Sequence, residues 1–266
     1  MSLLSTFYRL SGQPFDKDIP PADLLATPAF EELGHRLEYM RHRRGLMLLT
    51  GEPGSGKTAA VRAFAAQLNP AAYKVFYLPL STVTPLDFYM LLNLELGGEP
   101  SRRKSGLFKN LQQAIQGYVE NAKKIPVLVI DEAQFLPNST LNELPIVLNF
   151  RMDSIDPLLM ILIGHPYLEE KLQRPLFRNI NQRVLLRYRL PAMDVKETAS
   201  YIAHHLARVG GQPEAFSAAA VQAVYKTSGG ICRTVNSLCL AALNLGARQQ
   251  LETLTEEHIY QVSNEI

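Results

Sequence analysis

The chain has few cysteines and no long apolar run, and each shortage excludes a class of protein. Its 266 residues include two cysteines, Cys232 and Cys239, seven positions apart in a predicted helix. At about 1.5 Å of rise per residue they lie about 10 Å apart along that helix, too far for a disulfide. The longest apolar run, 157–164, is far shorter than the roughly 18 residues of a membrane span, and residues 1–6 lack the charged segment and following apolar stretch typical of a secretory leader. We expect a cytoplasmic protein without a membrane contact.

The chain also lacks a strong charge excess. Its net charge of +2 and pI near 8.5 are too weakly basic to indicate nucleic-acid binding, although local basic clusters permit it. No internal repeat, heptad array, base-reading motif or interleaving of basic and aromatic residues is visible. Any contact with nucleic acid is therefore expected to be sequence-tolerant and to involve duplex DNA.

What is present is an alternating pattern of strands and helices. With 266 residues and 47% hydrophobic content, the chain can bury a sizeable core. Alternation of apolar strand-length runs with helix-like stretches predicts a doubly wound α/β fold with a parallel sheet of about five strands. The predicted strands are 45–50, 73–78, 125–130, 158–163 and 184–190.

After Pro191 the pattern changes, because three or four amphipathic segments follow without another strand. The first opens with Asp194 and Glu197 three residues apart, as in a capping box, and Ser217 and Thr255 are predicted N-caps of two more helices. We predict a lead-in over 1–44, an α/β core over 45–190 and a small helical domain over 191–266.

Residues 51–58 carry the most specific motif. They fill every fixed position of the phosphate-binding pattern G-x-x-x-x-G-K-[ST] between an apolar strand and a helix-compatible segment. Glycines allow successive N–H groups to point at phosphate oxygens. Lys57 is expected to reach the β- and γ-phosphates of ATP, and Thr58 to bind Mg²⁺. The predicted nucleotide-binding residues here are Gly51, Glu52, Pro53, Gly54, Ser55, Gly56, Lys57 and Thr58.

The other half of an ATPase site is predicted where later strands end. Asp131 and Glu132 follow the apolar run 127–130, so that Asp131 is expected to hold Mg²⁺ and Glu132 to polarise the attacking water. His165 follows the next strand and is a candidate sensor of the γ-phosphate, or a loop histidine without that role. The pattern predicts hydrolysis as well as binding.

Three arginines are candidates to complete the site. Arg233 lies in the first turn of a predicted helix, where the helix dipole disfavours a cation, and is expected to bind the γ-phosphate. Arg178 and Arg183 precede the last strand, and either could be an arginine finger that reaches a neighbouring subunit's nucleotide. Arg183 is favoured because it adjoins the strand, whereas Arg178 can be a structural salt-bridge partner.

The order of these motifs resembles AAA+ ATPases of the ExeA, TniB, TnsC and MuB type over nearly the whole chain. The resemblance rests on the lead-in 15–20, the motif at 48–58, the Asp-Glu-Ala-Gln box at 131–134, residues 163–166 and residues 229–233. His165 stands where this family usually has glutamine. The resemblance implies an AAA+ fold in which the helical domain is a lid.

The resemblance also implies two different functions. Members that accompany DDE transposases assemble with ATP on duplex DNA as rings or filaments and recruit the transposase, and this is the function we expect. Members of the secretion type carry a membrane helix and a further region after this domain, which are not seen before Ile266. A P-loop small-molecule kinase is a third alternative, disfavoured because Arg233 and the helical tail resemble an AAA+ lid.

Two segments are candidates to contact DNA phosphates. Arg102, Arg103 and Lys104 follow a flexible loop and form a cationic cluster, or a solvated linker before a helix. Ser81, Thr82 and Thr84 come after the second strand and can donate to phosphates, or form turns of their own.

Overall fold

The computed structural model describes residues 3–79 and 82–265 and divides the chain into two compact units. The sheet unit comprises 32–51 and 57–190, and the helical unit comprises 1–31, 52–56 and 191–266. In the described residues, no helix has the length and apolar character that a membrane crossing requires.

The sheet unit contains five strands in the order β2-β3-β4-β1-β5, and all neighbouring pairs are parallel. This confirms the predicted α/β class and strand number. The strands are β1 (Gly45–Gly51), β2 (Tyr73–Leu78), β3 (Ile125–Ile130), β4 (Leu159–Gly164) and β5 (Val184–Leu190).

The position of each strand explains its composition. Every residue of β1 and β4 is buried, as expected for central strands with both faces covered, and β3 is buried after its first residue. The outer strands β2 and β5 contain exposed and half-buried residues as well as buried ones. Continuous apolar runs therefore mark the centre of the sheet.

Helices account for most of the remaining described residues. In chain order they are α1 (Leu3–Phe7), α2 (Pro28–Arg43), α3 (Lys57–Gln67), α4 (Pro85–Glu95), α5 (Lys104–Glu120), α6 (Asn138–Leu141), α7 (Leu144–Val147), α8 (Pro166–Leu172), α9 (Arg178–Arg183), α10 (Val195–Ala207), α11 (Ala218–Ser228), α12 (Cys232–Gln249) and α13 (Glu256–Ser263). Short 3-10 turns cover Pro21–Asp23, Ala133–Phe135, Pro175–Phe177 and Pro213–Ala215.

The predicted N-caps of the helical unit are present. The Asp194 carboxylate accepts a hydrogen bond from Glu197 N at 2.8 Å, and the Glu197 carboxylate accepts one from Asp194 N at 2.8 Å, which completes the capping box of α10. Ser217 accepts from Ala220 N at the start of α11. Each such cap satisfies N–H groups that a helix leaves unpaired.

Glycine is required where α12 begins. Gly230 has φ +73°, and a Cβ at this position would lie 1.9 Å from Met193 O. Gly230 O in turn accepts a hydrogen bond from Met193 N at 3.1 Å. The close contact between position 230 and the Met193 backbone therefore requires glycine, which has no side chain.

Candidate nucleotide site

The catalytic candidates of the sheet unit follow the three central strands. Gly51 ends β1, Asp131 and Glu132 follow β3, and His165 follows β4. Parallel strands place their carboxyl ends at one edge of the sheet, so these residues share that edge. The order β3-β4-β1 makes the three strands direct neighbours.

Lys57 begins α3 and is 8% exposed. Its Nζ donates a hydrogen bond to Gly51 O at 3.0 Å. The ammonium group therefore returns to the strand end from which the phosphate-binding loop departs. This is the place at which the motif requires a cation.

Asp131 is held by donors on both carboxylate oxygens. Its Oδ2 accepts from Thr58 Oγ1 at 2.7 Å and from the Tyr77 hydroxyl at 3.0 Å, while Oδ1 accepts from Glu132 N at 2.8 Å. Burial, together with the Asp131 charge and this hydrogen bond, raises the pKa of Tyr77 to about 12. The Tyr77 hydroxyl is therefore a donor at neutral pH.

The Thr58 hydroxyl and the Asp131 carboxylate suit a magnesium ion. Both supply hard oxygen atoms, and Mg²⁺ is normally bound by few protein oxygens together with phosphates and water. Their oxygens lie 2.7 Å apart, so one ion and its water shell can engage both. Among the described residues no group of three His, Cys, Asp or Glu side chains forms a metal cluster.

Glu132 has a backbone conformation that is unusual for its residue type. Its φ is +52°, in the left-handed region that non-glycine residues seldom adopt. Its Oε2 accepts from Gln134 Nε2 at 2.5 Å and lies 3.3 Å from His165 Nε2. The structure thus brings the predicted water-polarising residue and the predicted sensor together.

The tip of the phosphate-binding loop, 52–56, and Arg233 both belong to the helical unit. Arg233 N donates to Gly54 O at 3.1 Å, and a Cβ on Gly54 would lie 2.5 Å from Arg233 Cβ. Cys232, which precedes Arg233, donates a hydrogen bond from its Sγ to Ser55 O at 3.7 Å. Arg233 therefore lies directly beside the loop, and its side chain is exposed.

The two finger candidates have different surroundings. Arg183 ends α9 and pairs with Asp153, with Nη1 to Oδ1 at 2.6 Å. Arg178 begins α9 and is exposed, and no ion pair involves it in the described part of the chain. The salt bridge thus belongs to Arg183 and not to Arg178. Which of them acts across a subunit interface stays a prediction.

The predicted DNA-contacting residues also differ in availability. The guanidinium groups of Arg102 and Arg103 are exposed and have no partner within 3–79 and 82–265. Lys104 Nζ instead pairs with Glu143 Oε1 at 2.6 Å, and Thr84 is the N-cap of α4. Thr82 is exposed, and Ser81 lies outside the described residues.

Two residues that contact the candidate catalytic groups have no assigned role in the sequence predictions. Tyr77 lies near the end of β2, next to β3 in the sheet, and Gln134 lies two residues after Glu132. A polar residue near the end of a strand adjacent to β3 is a usable signal for Tyr77. Proximity in sequence to Glu132 is the signal for Gln134.

Comparison with known proteins agrees with this geometry. A family model described as an AAA domain matches residues 40–172, which include the phosphate-binding loop, Asp131, Glu132 and His165. General secretion pathway protein A of Aeromonas hydrophila is 30% identical over 244 residues, which are 91% of this chain and 44% of that protein. The chain thus spans less than half of this relative.

Solved structures agree on the fold. A structure of Drosophila ORC bound to DNA has a TM-score of 0.71 at 20% identity, covering 98% of this chain and 65% of that one. The Aeropyrum pernix ORC2 protein in ADPNP and ADP complexes has a TM-score of 0.67 at 16% identity, covering 94% of this chain and 70% of that one. At these identities the likeness establishes the arrangement of elements.

Proposed function

Because the chain belongs to the AAA-domain family and is an ATPase, we propose that it uses ATP to assemble on duplex DNA and there recruits or regulates a DDE transposase. The DNA part rests on the exposed guanidinium groups of Arg102 and Arg103, which have no partner in the described part of the chain and belong to the same unit as Asp131 and Glu132. The proposal of a DDE transposase as partner rests on the resemblance of the motifs.

In the proposed ATPase cycle, Lys57 binds the β- and γ-phosphates, and Thr58 and Asp131 hold Mg²⁺. A bound Mg²⁺ neutralises charge on the phosphates. The contacts of Asp131 with Thr58 and Tyr77 fix the carboxylate before nucleotide arrives. Less reorganisation is then needed when the complex forms.

Glu132 is the proposed water-activating group, and His165 the proposed sensor beside it. The Glu132 side chain is half exposed, so water reaches its carboxylate. The 3.3 Å separation from His165 lets a change at the γ-phosphate affect both side chains. Hydrolysis is thereby coupled to the nucleotide state.

Cations from outside this group are proposed to complete the site. Arg233 adjoins Gly54 in the phosphate-binding loop and is the proposed γ-phosphate ligand of the helical unit. Arg183, or the exposed Arg178, is the proposed finger for a neighbouring subunit. Regained turnover in a mixture of Arg183→Ala and Lys57→Ala chains would support a finger in trans, and a mixture without rescue would exclude Arg183.

The proposed DNA contact is made by the loop before α5. Arg102 and Arg103 can pair with phosphates without losing an existing ion pair, whereas Lys104 would first have to leave Glu143. Thr82 and Thr84 precede α4, whose 11 residues span about 16 Å, so they form a separate and weaker contact. The fold's likeness to ORC, which has been solved bound to DNA, is consistent with this function.

The test is a salt titration of DNA binding with ATP, combined with sedimentation to follow assembly. The double variant Arg102→Ala/Arg103→Ala should weaken binding for all sequences and lower the salt slope by about two, because each lost phosphate contact lowers it by about one. Lys104→Ala is the matched control and should change the slope less, since this side chain already has a carboxylate partner. No ATP-dependent DNA binding by the wild type would overturn the proposal.

A second candidate is a secretion-accessory ATPase. The relative that covers 91% of the chain is a general secretion pathway protein, and this observation favours it. The same DNA assay separates the two candidates, because a secretion ATPase has no need for salt-sensitive duplex binding. ATPase stimulation by a DDE transposase, and not by secretion components, would support the first candidate.

A further inference from the structure

We infer that Gln134 is a positioning residue for ATP hydrolysis, and that its side-chain amide aligns the Glu132 carboxylate with the backbone that follows β4. The inference rests on the proposed role of Glu132 as the water-activating group. Gln134 has no role in the phosphate-binding motif or in the metal site, and it lies in the 3-10 turn Ala133–Phe135.

The amide of Gln134 is buried, with both ends used. The residue is 8% exposed, its Nε2 donates to Glu132 Oε2 at 2.5 Å, and its Oε1 accepts from His165 N at 3.2 Å. A buried amide with both ends satisfied is a rigid link, because releasing either contact leaves a polar group without a partner.

The donor and acceptor groups around the Gln134 amide determine its orientation. The His165 backbone N–H is a donor, so the amide must present its oxygen to it. The NH₂ group then faces the carboxylate of Glu132. In the flipped orientation two donors would face each other, and so would two acceptors.

Neighbouring residues make room for the link and hold it. A Cβ on Gly164 would lie 2.9 Å from Gln134 Oε1, so the absence of a side chain there admits the amide. On the other side, Lys171 Nζ donates to Leu136 O at 2.9 Å and approaches Gln134 O at 3.4 Å. The 3-10 turn is thus fixed by α8 as well as by β4.

Glu132 needs such a link. Its side chain is 51% exposed, and the contacts with Gln134 and His165 are those that hold its carboxylate among the described residues. A solvent-facing glutamate samples several rotamers, and misplacing a catalytic group by about 1 Å can lower turnover by about 10²-fold. Gln134 restricts Glu132 to one of these arrangements.

The test compares Gln134→Glu with Gln134→Asn. Gln134→Glu keeps an acceptor for His165 N and replaces the donor to Glu132 by a like charge, and Gln134→Asn keeps the amide but withdraws it by one methylene. We expect both to lower kcat by between about tenfold and about 10²-fold, with the Kd of a fluorescent ATP analogue changed by less than about twofold because the phosphate ligands remain in place. Gln222→Glu, an exposed site in the helical unit, is the matched control.

A double-mutant cycle separates positioning from a merely structural role. In the Glu132→Gln background, adding Gln134→Glu should lower the residual rate by less than about twofold, because the carboxylate to be aligned is gone. Additive losses would indicate a structural role and overturn the inference. So would wild-type or faster turnover by both single variants with unchanged Tm.

The failure of this inference can be told apart from failure of the proposed function. If Glu132→Gln itself hydrolyses ATP normally, the role of Glu132 is wrong. If Glu132→Gln is inactive while Gln134→Glu and Gln134→Asn are fully active, only the inference about Gln134 is wrong.

Discussion

The strand ends of the sheet unit and the helix starts of the helical unit use polar side chains differently. At the strand ends, polar side chains contact one another: Thr58 and Tyr77 donate to Asp131, and Gln134 donates to Glu132. In the helical unit, side chains such as Ser217 bond to the backbone at helix starts.

The difference separates chemistry from stability. Side chains that bond to side chains at the strand ends form the proposed catalytic group, whose loss should affect turnover more than folding. Side chains that cap helices each contribute about 1 kcal/mol to stability and take no part in a reaction. Substitutions in the two units should therefore have different readouts.

The largest expected effect is in the sheet unit. Glu132→Gln should lower kcat by about 10²-fold to 10⁴-fold, the range for loss of a general base, while ATP binding and Tm are retained. Labelled-ATP turnover, nucleotide titration and thermal melting measure the three quantities. Lys57→Ala serves as the contrasting variant, because it removes the phosphate-facing charge and should abolish nucleotide affinity.

A Glu132→Gln chain with wild-type turnover would exclude the assigned role. A chain that lost turnover and stability together would break the comparison, because the strand-end residues would then also support the fold.

The second-largest expected effect is a loss of stability of the helical unit at acidic pH. His205 is 2% exposed. The centroid of its ring lies 5.0 Å from that of the stacked Phe15 ring and 4.3 Å from that of the Tyr201 ring. Burial, with smaller contributions from the charges of Arg208 and His204, lowers the pKa of His205 from 6.5 to about 4. The unfolded chain takes up this proton below pH 6.5 and the folded chain does not.

The free energy of unfolding should therefore fall as the pH is lowered from 6.5 to 4, by about 3 kcal/mol from this group alone. Denaturant titrations at several pH values measure it. His205→Phe should remove most of this pH dependence, and His35→Gln, an exposed site, should leave it in place. Equal acid sensitivity in the wild type and His205→Phe would contradict the assignment.

The smallest expected effect is a loss of ATP affinity on substitution of Arg233, and it would show that the helical unit also takes part in nucleotide binding. Arg233 is a side chain of the helical unit for which we propose a role in nucleotide binding, and Arg233→Ala should weaken ATP binding by about tenfold, the equivalent of one hydrogen bond to a charged group. Arg248→Ala, in the last turn of the same helix, is the matched control. Equal ATP affinity of both variants and the wild type would exclude the proposed role of Arg233 in nucleotide binding.

The sequence predicted the parts of the fold that depend on short-range patterns. The strands were found because central parallel strands are apolar on both faces, and the caps at Asp194 and Ser217 because a polar residue before an apolar stretch has a local role. The order of strands in the sheet was not predicted, because it depends on long-range pairing.

The site was predicted only as far as its motifs reach. Whether Arg183 is free or paired depends on Asp153, 30 positions earlier in the chain, and no local pattern connects them. The contact of Gln134 with the His165 backbone likewise joins two loops that are distant in sequence. Such contacts require the strand order, since it decides which loops are neighbours.

The left-handed conformation of Glu132 has a consequence for how this protein evolves. A non-glycine residue in this region costs about 1 to 2 kcal/mol, and glycine or asparagine would adopt the same φ of +52° more easily. Selection for stability alone would replace the glutamate. The proposed water-activating role would make Glu132 a trade of stability for activity, and chains freed from the need to hydrolyse ATP would then be expected to drift first at position 132.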